Sequence, residues 1–201
     1  MFPRSAVALA AAFAAFAGLV AAGAFTRLDQ WSIRHLMPGA ELVNKKSNLA
    51  EGVVPLYHVD WHSGTAVAVN LVTLPASFLV ALAIVFWRSR PLAVALVLAV
   101  GVEVLCKGVL DRPPLYGGTL HLRAFDSSFP SGHSLRTVLV AAALWPLLRG
   151  SVLVWAAASL VLIEIAGWHT PTDIVGGVLL GLLALLCARG AGALRARRLR
   201  A

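Results

Sequence analysis

Charge is scarce in this 201-residue chain: 13% of its residues are Asp, Glu, Lys or Arg, against 59% hydrophobic ones. That composition excludes an ordinary soluble domain, and the length leaves room for one domain over residues 1–201. Cysteine is nearly missing as well, with Cys106 and Cys187 the two present. On the topology argued below they lie at opposite ends of an apolar layer, so a disulfide between them is excluded. Each reads as a small buried apolar residue. Acidic residues number nine against 17 basic ones, a net charge of +8. There is no internal repeat, and low complexity is confined to Ala/Leu-rich runs.

Long apolar runs are what the chain has in abundance. Six of them, at about 5–25, 65–87, 91–110, 133–148, 151–168 and 173–190, approach the roughly 20 residues a transmembrane helix needs. The expected fold is all-α, a six-transmembrane-helix bundle with its core at 65–190, packed through small residues rather than by burial from water. Basic residues fall in short segments that share one side: Arg4, Arg88 and Arg90, Arg149, then Arg195, Arg197, Arg198 and Arg200. The positive-inside pattern places both termini in the cytoplasm, in the inner or plasma membrane of the cell. The basic tail 191–201 then rests on anionic headgroups. Positive charge spread this way marks orientation in a bilayer, and a nucleic-acid partner is rejected. Residues 1–25 also carry signal-peptide features, Arg4 ahead of an apolar run and Ala22-Gly23-Ala24 behind it. The run is longer than the usual 7–15 residues, which favours a retained first helix.

With the N-terminus inside, two segments lie outside. Residues 26–64 mix Trp31, Trp61, Arg27, Arg34, Lys45 and Lys46 with apolar residues, as an interfacial segment does. Residues 111–132 are rich in Pro, Gly and Asp. Lys107, Arg112, Arg123, His133, His169 and Asp173 therefore gather at the outer face.

Two strings in that set carry chemistry. Pro130-Ser131-Gly132-His133 opens a helix. Proline suits its first turn, Gly132 lets a ligand approach the backbone, and free N–H groups there bind anions. His133 is placed to give a proton to a leaving oxygen, although an incidental interfacial histidine has the same pattern. Thirty-six residues on from His133 comes His169-Thr170-Pro171-Thr172-Asp173. Asp173 shares a face with His169 and can orient one ring nitrogen while the other attacks phosphorus. The same five residues also form a capping pattern, with Thr170 as N-cap and Asp173 at N3. Both roles stay open for Asp173.

Cations complete the picture. Glu103 and Lys107 form a favourable i,i+4 pair. Arg112 is suited to bidentate phosphate contact. Arg136, one turn after His133, is expensive in lipid and should point inward toward an anion, either a phosphate or Glu164. His58 and His62, with Asp60 between them, have metal-ligand spacing, but beside Trp61 they read as a polar belt. Asn70 suits an interhelical hydrogen bond. Gly177-x3-Gly181 suits close helix packing within the chain.

These motifs and their order resemble the type 2 phosphatidic acid phosphatase (PAP2) superfamily, in its integral-membrane lipid phosphatase branch. The family's motifs are Lys-x6-Arg-Pro, Pro-Ser-Gly-His and Ser-Arg-x5-His-x3-Asp. The second matches fully at 130–133, and the third matches at His169 and Asp173. The resemblance implies that His169 is the nucleophile of a phosphohistidine, Asp173 its orienting carboxylate and His133 the leaving-group acid. Lys107 and the backbone at Ser131 and Gly132 would bind phosphate, with no metal and no cofactor. It departs at Pro114, where Arg is expected and Arg112 is the substitute, and at Leu162-Ile163, where Ser-Arg is expected. Arg136 is placed to supply the missing cation. The expected partners are the bilayer and a lipid phosphate, led by a polyprenyl diphosphate such as undecaprenyl diphosphate. Phosphatidic acid, phosphatidylglycerol phosphate and a polyprenyl-phosphate sugar phosphate are the competing substrates. From another class, the departures also suit a catalytically degenerate phospholipid-binding or transport protein. A soluble haloperoxidase is excluded by the apolar runs. Arg136→Ala is expected to lower lipid-phosphate turnover on the order of 10²-fold with folding largely intact; wild-type phosphate release by that variant would rule the role out.

Overall fold

The computed structural model describes residues 4–37, 75–110, 113, 128–165 and 169–198. Every regular element among them is a helix. In chain order these are α1 (Arg4–Ala21), α2 (Thr26–His35), α3 (Pro75–Arg88), α4 (Arg90–Val109), α5 (Gly132–Leu148), α6 (Gly150–Ile165) and α7 (Pro171–Arg198). Arg112, Arg123, His58, His62 and Asn70 lie outside the described residues.

Three helical stretches are long and apolar enough to cross a membrane: Arg4–Ala21, Arg90–Val109 and Pro171–Gly192. Phe78–Arg88, Gly132–Leu148 and Gly150–Ile165 are apolar but shorter. Large apolar side chains such as Trp87, Leu98, Leu105, Val109 and Val154 stand exposed on the bundle. An outer surface of this kind is that of a membrane protein, since water would not tolerate it. The turns at one end are tight. Ser89 alone separates α3 from α4, its side chain capping α4 through the Leu92 N–H (3.4 Å). Arg149, at φ 46°, separates α5 from α6.

α7 is the central helix. It packs against α1, α2, α4 and α5, while α6 lies on α5 and α3 lies against α4 and α5. Its 28 residues run on to Arg198, so the helix continues into the segment expected as a tail from 191. Leu96, Leu135 and Leu139 are completely buried between these helices. Glycine sets the α5–α7 crossing. A Cβ on Gly177 would collide with the Ser131 carbonyl oxygen and lie 2.8 Å from the Ser134 Cβ, and one on Gly181 would lie 2.8 Å from the Val138 Cβ. The small-residue spacing at 177–181 thus serves packing within the chain. Gly176 makes room for the ring of Phe129, which is 2% exposed and meets Phe13 and Phe16 of α1 at centroid distances of 6.2 and 6.0 Å.

The segment from residue 26 does more than line an interface. Ala22–Phe25 turns the chain, with Gly23 at φ +75° against the Pro113 ring, a backbone region that favours glycine. α2 follows and buries Asp29, Ser32 and Ile33, while Leu28 and Trp31 remain exposed. The small residues at 22–24 therefore serve a turn that brings α2 onto the start of α7.

Because the Ser131 carbonyl is backbone and cannot swing aside, Gly177→Ala should cost about 1–3 kcal/mol. The expected readout is a lower thermal unfolding midpoint of the detergent-solubilised protein; an unchanged midpoint would show slack in the crossing.

Candidate active site

The beginnings of α5 and α7 meet. The Ser131 N–H donates to the Asp173 carbonyl (2.9 Å), and the Ser131 side chain caps α5 by accepting from the Ser134 N–H (3.3 Å). At this junction His133 Nδ1 lies 2.8 Å from His169 Nε2, a hydrogen bond in which the tautomers decide which ring donates. The ring centroids are 5.0 Å apart, and both histidines are buried.

Asp173 acts on the other pole of His169. Its Oδ2 is 3.6 Å from His169 Nδ1, an electrostatic contact longer than a hydrogen bond. The same oxygen accepts from the Thr170 N–H (3.0 Å) and from Ser128 Oγ (2.5 Å). Capping and facing the imidazole are thus carried by one carboxylate that is completely buried. Burial pushes the His169 imidazole below its ordinary range. Asp173 pulls it upward, Lys107 pushes it down and Glu103 pulls it up. The net effect is downward, which favours a neutral ring with a lone pair to offer.

On the α4 side, Lys107 Nζ donates to Glu103 Oε1 at 2.6 Å. Glu103 is buried against Gly132, where a Cβ would overlap its carboxylate. Arg136 is half-buried, and its buried Nε has no hydrogen-bond partner among the described residues. Glu103 is the anion that acts on it. Arg136 does not pair with Glu164, whose Oε1 accepts from Ser32 Oγ of α2 (2.7 Å). At the position where Ser-Arg is expected, Ile163 is buried as part of the apolar packing. Of the residues expected at the site, His133, His169, Asp173, Lys107, Ser131, Gly132 and Arg136 all lie at this one end of the bundle.

Three residues here escaped the sequence reading. Asp29 accepts from the Thr172 N–H (3.3 Å) and from Thr172 Oγ1 (2.6 Å), capping the first turn of α7 from α2. Ser32 ties α2 to α6, and Ser128 supports Asp173. The one signal for the α2 pair was spacing: Asp29 and Ser32 are three apart and share a helix face.

A helical membrane bundle with two buried, hydrogen-bonded imidazoles, a supporting carboxylate and nearby cations is equipped for phosphate-ester chemistry. A family profile described as the PAP2 superfamily matches residues 88–191, just over half of the chain, and the chain belongs to that superfamily. No curated protein and no solved structure matches it. The superfamily's members are phosphatases, which makes this chain a hydrolase of phosphate esters at that general level. The matched region runs from the end of α3 into α7, so the clamp made by α2 lies outside it.

Asp29→Ala removes the acceptor for a buried N–H and a buried hydroxyl, a loss of about 1–3 kcal/mol. The expected outcome is a lower unfolding midpoint with reduced phosphatase activity, because the first turn of α7 carries Asp173. A variant with wild-type midpoint and activity would show that the clamp is dispensable.

Proposed function

We propose that the chain is a six-span membrane lipid phosphatase, with its termini in the cytoplasm and its site at the outer face. Its substrate is a lipid phosphate or diphosphate monoester, a polyprenyl diphosphate above the alternatives. The observation that carries the reading is the 2.8 Å contact between His133 Nδ1 and His169 Nε2. Two imidazoles from separate helix starts are held pole to pole, with Asp173 behind one of them. A purely structural pair has no need for that third member.

In this mechanism the rings part to admit the phosphoryl group. His169 Nε2 attacks the terminal phosphorus, its bond to the leaving oxygen breaks (the bridging oxygen of a diphosphate, the ester oxygen of a monophosphate), and His133 gives that oxygen its proton. Water then attacks the phosphohistidine, returns a proton to His133 and releases phosphate. Charge on the equatorial oxygens is held by Lys107, Arg112 and Arg136, with the N–H groups that open α5. Asp173 keeps His169 in the tautomer whose Nε2 carries the lone pair. The lipid chains remain in the bilayer while the headgroup enters from the side.

Pro114 and Leu162-Ile163, which depart from the family pattern, favour the second reading, a lipid-phosphate binder or transporter without turnover. Purified protein in nanodiscs, given polyprenyl diphosphate, phosphatidic acid and phosphatidylglycerol phosphate, distinguishes them. The expected outcome is phosphate release fastest from polyprenyl diphosphate, with acid-labile labelling of the chain by ³²P substrate. His169→Asn should abolish the label, and His133→Ala should slow turnover by about 10²–10⁴-fold. Binding of the lipids without phosphate release would establish the second reading instead.

A further inference from the structure

Besides Asp173, two buried carboxylates sit at helix beginnings in this site, and they are used differently. Asp29, at the start of α7, is engaged by the backbone and hydroxyl of Thr172. It is a permanent cap. Glu103 lies at the start of α5, against Gly132, where a Cβ would overlap its carboxylate. It does not cap. Its Oε1 takes the Lys107 ammonium, and its Oε2 is buried without a hydrogen-bond partner among the described residues. The residue as a whole is 6% exposed. A buried anionic oxygen left unbonded is costly, so its surroundings must compensate for it. What surrounds it is positive: Lys107 at 2.6 Å, Arg136, on which it acts, and the N-terminal end of α5. Lys107, Arg136 and that helix start are the groups assigned to the substrate's phosphate in the reading above, on which this inference rests.

We propose that Glu103 is the resident anion of the phosphate cradle, a carboxylate that an incoming phosphate must displace from Lys107. While the site is empty, Glu103 offsets part of the positive charge of two cations and a helix start in a low-dielectric pocket. When phosphate arrives, the carboxylate yields Lys107 and lies beside a like charge, which weakens binding of the ester and of inorganic phosphate alike. Release of the product is thereby hastened. Glu103 is in this sense a positioning and affinity-setting residue, separate from the two histidines. A merely structural partner of Lys107 would have the opposite signature, since losing it would disorder the lysine and loosen phosphate binding.

Glu103→Gln isolates the charge, because the amide oxygen still accepts from Lys107 in the same shape. Inorganic phosphate is titrated calorimetrically into the detergent-purified full chain, wild type and E103Q, and lipid-phosphate kinetics are measured on both. The expected result is a Kd for phosphate roughly tenfold or more lower in E103Q, as removal of a unit charge at this range implies. KM should fall with it and kcat should not rise. Glu103→Asp, whose carboxylate is one methylene shorter and retreats from Gly132, should shift Kd in the same direction by less and serves if E103Q fails to fold. An unchanged or higher Kd overturns the proposal. If wild-type protein binds phosphate but releases none from any lipid, the phosphatase reading fails while the comparison of Kd values still decides this one. Absence of phosphate binding in wild type and variants alike overturns both.

Discussion

The junction of two helix beginnings is the constraint on which the site depends. Ser131 donates its backbone N–H to the Asp173 carbonyl, and Gly177 lets the Ser131 carbonyl come against α7. A backbone hydrogen bond and a glycine contact have almost no freedom of adjustment. Once they form, the residues beside them, His133 on one helix and His169 just ahead of the other, have little choice about where their rings go. The imidazole contact follows from packing that involves neither imidazole.

Around that junction the helix ends set the electrostatics. α5 and α7 both aim their N-terminal ends at the site, and α4 brings the last turn of a helix, whose negative end suits Lys107. Carboxylates answer the positive ends: Asp173 and Asp29 on α7, Glu103 beside α5. Each is buried; Asp173 and Asp29 meet donors from another element, while Glu103 pairs with Lys107 on its own helix. Phe129, held between Gly176 and the rings of α1, fastens the same loop from the apolar side. α1 and α2 thereby contribute to a site whose family motifs all lie in α4, α5, α7 and their flanking loops.

Membership in a superfamily of phosphatases rests on residues 88–191, and those residues carry the recognisable strings. The chain departs from the pattern at Pro114 and at Leu162-Ile163. Ile163 has become part of the apolar core, and Arg136 brings a cation from the neighbouring helix to the same end of the bundle. A half-buried guanidinium whose Nε finds no partner among the described residues is a poor structural element, and it gains a purpose if an anion of the substrate completes it.

Apolar runs and positive charge were enough to read an all-helical membrane chain, because hydropathy over twenty residues is a property of composition and spacing alone. The motif residues were legible for a similar reason: helix-start prolines and an i,i+4 carboxylate are local patterns, and Glu103–Lys107 and Asp173–Thr170 appear where spacing puts them, although Pro130 falls ahead of the Ser131 cap rather than in the first turn and the Thr170 hydroxyl meets Thr172. The partner of Glu164 was not legible. Arg136 was an equal candidate by charge, but Ser32 took the position, 132 residues away in sequence. Asp29 was invisible as a cap for Thr172, 143 residues distant, and α2 was visible only as an interfacial stretch. Local sequence thus determined which groups exist and which helix end each occupies. Tertiary structure alone decided which buried oxygen meets which donor, because that choice depends on how closely helices far apart in the chain can approach, and glycine contacts at Gly176, Gly177 and Gly181 set that approach.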